Sequence, residues 1–79
     1  MDWTIEQRVR DVICEELGIA DAPTHASLDR LGADSHDRLS LTLALEDAFG
    51  IEIPDRDAQG LKTVADIVAY VERQLPATT

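Results

Sequence analysis

Apolar side chains recur every three or four residues in three separate stretches of this chain, and a glycine or a proline closes each stretch. Ile5, Val9, Val12, Ile13 and Leu17 precede Gly18, Leu41, Leu45 and Phe49 precede Gly50, and Val64, Ile67, Val68, Val71 and Leu75 precede Pro76. This period marks one face of an α-helix, and glycine and proline are residues that end one. Aromatic residues amount to Trp3, Phe49 and Tyr70 alone, so the core has to be aliphatic, which suits helices packed on helices. With 79 residues there is material for one small core. The expected fold is all-α: a small four-helix bundle of three longer helices and one short, in a single domain spanning 1–79 with a frayed tail at 76–79.

Local signals sharpen the element boundaries. Thr4 and Gln7 have capping-box spacing at the start of the first helix. A long loop follows over residues 19–33, with Pro23 and Gly32 in it and Leu28 and Leu31 as its anchors; loops of that length in compact domains tend to be functional. The second helix is expected from about Ser35 to Phe49, behind Asp34 or Ser35 as cap. Ile51-Glu52-Ile53-Pro54 alternates like a strand but is short and ends in proline, so it reads as an extended connector burying two isoleucines. A short helical turn is expected within Asp55 to Leu61, interrupted by Gly60. Thr63 and Asp66 have the spacing to cap the last helix. Leu41, Leu45, Phe49, Ile53, Val64, Ile67, Val68 and Val71 are the expected shared core.

On a helical wheel at about 100° per residue, Leu41, Ala44, Leu45, Ala48 and Phe49 share one arc, while Leu39 and Leu43 lie opposite it. Two leucines facing away from a core mark a docking surface, with His36, Ser40, Glu46 and Asp47 as polar neighbours; the alternative is that the loop 19–33 folds over them. Ser35, at a helix start, reads either as a cap or as a modification site, since a phosphoester there gains from free N–H groups and the helix dipole. A nucleophile is the weakest reading. His36 is adjacent in sequence and points elsewhere, and no nucleophile elbow is present, so no enzymatic activity is expected. His36 itself reads as a solvated helix-start residue, and Cys14 as a small hydrophobe beside the apolar positions.

Seven basic against sixteen acidic residues give a formal net charge of −9. Nucleic acid and anionic membranes are repelled by such a surface, and partners with basic patches are favoured. A lone cysteine fits a reducing compartment, and neither a basic, apolar leader nor a membrane-length apolar run is evident. A soluble, cytoplasmic monomer is expected.

The run Leu31-Gly32-Ala33-Asp34-Ser35-His36-Asp37, followed by Ala44-Leu45-Glu46-Asp47-Ala48-Phe49-Gly50-Ile51-Glu52-Ile53-Pro54-Asp55, resembles an acyl carrier protein. The likeness extends to Thr4–Val9 and Leu61–Ile67, so nearly the whole chain is covered in order. The resemblance implies a carrier of acyl thioesters on a covalent 4′-phosphopantetheine arm joined to Ser35, serving fatty-acid biosynthesis or related lipid metabolism. It implies that Asp34 helps hold the magnesium used during loading, with no metal in the free carrier. It also implies a partner-binding face of His36, Asp37, Arg38, Leu39, Ser40, Leu43, Glu46 and Asp47, read by a phosphopantetheinyl transferase and by acyl-transfer, synthase or acyl-activating enzymes with basic patches. Two alternatives stay open: a small acidic helical adaptor without cofactor, and a peptidyl or aminoacyl carrier of a nonribosomal pathway.

The chain departs from the family pattern at His36, where Leu or Met is usual, at Ser40, where glutamate is usual, and at Arg38, a positive charge among acids. These departures point either to a specialised carrier or to ordinary drift. The charge balance carries a direct test: acids that repel one another do so most at low ionic strength. Added salt or divalent cations are expected to raise the melting temperature, and a melting temperature indifferent to salt would show the charges to be too dispersed to matter.

Overall fold

The computed structural model describes the backbone of residues 2–75 and the side chains of residues 5–75; the expected frayed tail at 76–79 lies outside them. Four helices follow one another, α1 (Asp2–Leu17), α2 (Ser35–Phe49), α3 (Asp55–Gln59) and α4 (Val64–Gln74). The all-helical expectation holds, with α3 the short member. α1 lies against both α2 and α4, because Val9 and Ile13, four residues apart, are fully buried between Leu41 and Leu45 of α2 and Val64, Ile67 and Val71 of α4.

Three expectations are corrected. α1 starts at Asp2, so Thr4 lies inside the helix and is no cap, and the Gln7 amide turns forward to donate to Asp11 at 2.9 Å. Phe49 is half-buried at the rim of the core, where Arg8 covers its ring at 4.6 Å from the centroid; it ends α2, one turn beyond the last residue that faces inward. Ala44 and Ala48 lie half-buried and exposed, so the inward face of α2 is the narrower pair Leu41 and Leu45. Both connector isoleucines pack on the core, Ile53 buried and Ile51 half-buried.

The loop 19–33 does not fold over Leu39 and Leu43. It runs instead along the start of α4, where Ala65 N–H donates to Thr24 O at 2.8 Å, Val64 N–H to Ala26 O at 3.1 Å, and Leu28 N–H to Lys62 O at 2.8 Å. Ser27 and Thr63 form an isolated antiparallel bridge within this zip. Ala22 and Leu28 are buried beneath it, and Arg10 reaches from α1 to donate to Ala22 O at 2.9 Å. Helix-start amides need acceptors, and these loop carbonyls supply them, while Thr63 and Asp66 close the expected capping box.

On α4, Tyr70 is the core residue that periodicity did not single out: it is buried and its hydroxyl donates to Asp57 of α3 at 2.7 Å. Burial first, and then the hydrogen bond and charge of Asp57, push its pKa up from the ordinary 10 to about 12. The neutral phenol is therefore favoured in the fold. Its contribution is complete below about pH 10 and is lost as pH rises from about 10 to about 12. Because Tyr70 is the sole tyrosine, tyrosinate absorbance is expected to appear near pH 12 and alkaline destabilisation to span that window. Tyr70→Phe is expected to cost about 1 kcal/mol at neutral pH; a phenol titrating near 10 would place the ring in solvent.

Candidate functional site

The first turn of α2 is built by two acids that hold each other's backbone. Asp34 takes the cap position with extended dihedrals, its Oδ1 accepts from Asp37 N–H at 2.8 Å, and Asp37 Oδ2 accepts from Asp34 N–H at 3.3 Å. Gly32, at φ 89, turns the chain into this start, a conformation that a β-carbon would strain. Gly50, at φ 65, closes the helix with its N–H on Glu46 O.

Ser35 is consequently the first helical residue and not the cap, and its side chain is exposed. Capping is done by its neighbours, which leaves the Ser35 hydroxyl unneeded by the fold. The helix starts of α2 and α4 differ in what they offer. In α4 the loop carbonyls and Thr63 occupy the amides of Val64, Ala65 and Asp66; in α2 the Ser35 and His36 amides have no such acceptor among the described residues. A phosphoester on α2 would meet free N–H donors at the positive end of the dipole.

Two stripes leave this turn. Ser35, Arg38, Leu39 and Thr42, spaced by three and four residues, form one side of a cleft of about 330 Å³, and Asp55, Ala58 and Gln59 of α3 form the other. The second stripe carries His36, Leu39, Ser40, Leu43 and Asp47. Leu39 and Leu43 are 55% and 57% exposed, the two large hydrophobic side chains left outside the core among the described residues. His36 and Asp47 are exposed beside them and Ser40 is half-buried.

Three residues expected on the docking face are held by hydrogen bonds within the fold. Arg38 crosses the cleft and donates to Leu61 O at 2.8 Å, because α3 and its connection to α4 lie within reach of its stem. The Glu46 carboxylate accepts from Ile53 N–H at 2.7 Å, satisfying an amide of the connector. Asp37 closes the cap. Sequence reasoning missed the cleft wall of Thr42, Asp55, Ala58 and Gln59, since no periodicity tells where a five-residue helix will rest. Cys14 is half-buried against the core, and burial, with Asp21 and Asp11 adding, pushes its thiol pKa up. That is the behaviour of a small hydrophobe.

The family described as "Phosphopantetheine attachment site" matches residues 7–71. The chain belongs to the acyl carrier protein family. The acyl carrier protein of Akkermansia muciniphila is 43% identical over 75 residues, covering 91% of this chain and 94% of that protein. The one from Bdellovibrio bacteriovorus is 44% identical over 73 residues, covering 89% and 94%. Among solved structures, BlmI, a type-II acyl carrier protein from Streptomyces verticillus involved in bleomycin biosynthesis, superposes with a TM-score of 0.82 at 22% identity, over 91% of this chain and 87% of that one; at that identity the likeness concerns the fold.

Membership decides between the carrier and the cofactor-free adaptor. This protein is an acyl carrier whose prosthetic group is 4′-phosphopantetheine. Among the described residues no helix is long and apolar enough to cross a membrane.

Loss of the Asp34 side chain isolates the cap from the charge. Asp34→Ala is expected to lower stability by about 1 kcal/mol, and Asp34→Asn, which can still accept from the Asp37 amide, by only a few tenths. Urea unfolding measures both; equal losses would show that the cap does not hold the helix start.

Proposed function

We propose that Ser35 is the attachment point of the 4′-phosphopantetheine arm. The observation that carries this reading is the exposed N1 hydroxyl, freed from capping by Asp34 and Asp37, beside open amides and lining the α2–α3 cleft. The residues fit the group: the helix start suits the phosphodiester, and the cleft, lined by apolar Leu39 and Ala58 beside polar Arg38, Thr42, Asp55 and Gln59, has room for the arm. When bound, the arm supplies a terminal thiol on which acyl groups ride as thioesters. Ser35 holds it, and the helix dipole and the Ser35 and His36 amides stabilise its negative charge.

Asp34 serves loading: Oδ1 is engaged by the cap, while Oδ2 remains for the magnesium used by the phosphopantetheinyl transferase. Leu39 and Leu43 are the apolar anchors of partner docking, with His36, Ser40 and Asp47 as rim. Asp37, Arg38 and Glu46 support that face from within. Partners with basic patches meet a strongly acidic body, and the acyl-handling enzymes of fatty-acid or related pathways are the class this suits. His36 and Ser40 remain as departures on the docking stripe and favour a dedicated set of partners. The protein acts as one carrier domain, a cytoplasmic monomer without catalysis of its own.

Incubation with coenzyme A and a broad-specificity phosphopantetheinyl transferase, read by intact mass, tests the assignment. The wild type is expected to gain one arm and Ser35→Ala none. A modified Ser35→Ala variant would move the attachment point elsewhere.

A further inference from the structure

Arg38 is the cation in the lining of the α2–α3 cleft, on the same wall as Ser35 and three positions after it. Residues three apart on a helix share a face, with β-carbons about 5–6 Å from each other. The Arg38 guanidinium is half-buried, and its Nη2 donates to Leu61 O at 2.8 Å. A guanidinium carries five N–H donors, and among the described residues no second acceptor meets this one. It has no carboxylate partner there either, since the ion pairs among the described residues join Arg10 to Glu6 and Asp21. The nearby acids are placed otherwise: Asp34 and Asp37 each engage an oxygen in the cap, and Asp55 stands on the opposite wall. A half-buried cation is thus left without a counter-ion in a chain with sixteen acidic residues.

A phosphodiester on Ser35 arrives among like charges. Asp34 and Asp37 flank it along the chain and Asp55 faces it across the cleft, and each repels an anion. The open amides of the helix start offset part of that repulsion. Arg38 is the group on this wall with a full opposite charge, and its planar fork matches two phosphate oxygens. The bond to Leu61 O already holds the guanidinium in the cleft, so little further side-chain freedom is lost when it meets an anion.

We propose that Arg38 binds the phosphodiester of the prosthetic arm, its unengaged N–H groups pairing with the phosphate oxygens while Nη2 stays on Leu61 O. The inference rests on Ser35 as the point of attachment. It gives a use to the positive charge that departs from the family pattern: Arg38 balances the charge of the arm at a helix start rich in carboxylates. Loading then adds a charge-assisted contact between the arm and a side chain that already ties α2 to the α3–α4 connection, and the holo form is the more stable one.

The test compares apo and holo forms of the full chain for the wild type, for Arg38→Met, which keeps the stem without the charge, and for Arg38→Lys, which keeps the charge without the fork. Coenzyme A and a broad-specificity phosphopantetheinyl transferase load each, and intact mass reports loading. Loading is expected to raise the urea midpoint of the wild type, by less in Arg38→Lys and by least in Arg38→Met, and the rise in the wild type is expected to shrink in added salt. In the wild type itself the ¹⁵Nε–¹Hε signal of Arg38 is expected to shift on loading and to exchange more slowly with solvent, a readout that stands if a variant does not fold. An equal rise in midpoint for the wild type and Arg38→Met, or an Arg38 signal that loading leaves unchanged, would overturn the inference while leaving the Ser35 reading intact. No gain in mass in the wild type, or a gain in Ser35→Ala, would overturn both.

Discussion

Everything useful on this molecule depends on where α2 begins. The reciprocal bonds between Asp34 and Asp37 set that point, and a helix once started has its whole angular register decided, since each residue turns about 100°. From that origin Leu41 and Leu45 face the core, Ser35 stands exposed at the first helical position, Arg38 and Thr42 face α3, and Leu43 faces outward. Moving the start by one residue would rotate the serine away from the cleft and draw a different set of side chains inward. Two short acids thus position the exposed serine, the α2–α3 cleft and the stripe of exposed leucines together.

The few cations of the chain are placed with similar economy. Of seven basic residues, Arg8, Arg10 and Arg38 each donate to a carbonyl on another segment: Ala48 from α1 to α2, Ala22 from α1 to the long loop, and Leu61 from α2 to the start of the α4 connection. Arg8 also lies over the Phe49 ring, adding a cation–π contact at the edge of the core. A guanidinium on a long stem can cover apolar surface and still satisfy a carbonyl, which suits a domain with little aromatic material. With these charges turned onto the fold, the acids are left to dominate the outside.

α3 shows how a marginal element becomes part of a site. Five residues cannot hold a helix by themselves. Tyr70 fixes it from below through Asp57, and Gly60 lets it stop. The cleft exists because this short helix is held at a distance from α2 that leaves a space of about 330 Å³, while Arg38 bridges the gap to Leu61. Beyond that bridge, beside Leu45 and Ile67, the space is about 10 Å³.

Much of this was legible in the residues. Thr63 and Asp66 announced their capping box, Gly50 its left-handed cap, and the spacing of Val64, Ile67, Val68 and Val71 the buried stripe. Those are local events, decided by hydrogen-bond partners three or four residues away and by helical period, and the sequence by itself determined them. It also placed Leu39 and Leu43 on the side of α2 opposite Leu41 and Leu45, because each helical residue turns by a fixed angle. What tertiary structure alone decided were the long-range choices: that the loop 19–33 lies along α4 and not over those leucines, that Phe49 stays at the rim while Tyr70 goes inside, and that Arg38 and Glu46 bond to segments outside α2. Each depends on an acceptor or donor supplied by a segment distant in sequence, the carbonyls of Thr24, Ala26, Lys62 and Leu61, the Ile53 amide, and the carboxylate of Asp57. No period along one chain segment encodes such a partner, so these contacts exist only once the helices have met.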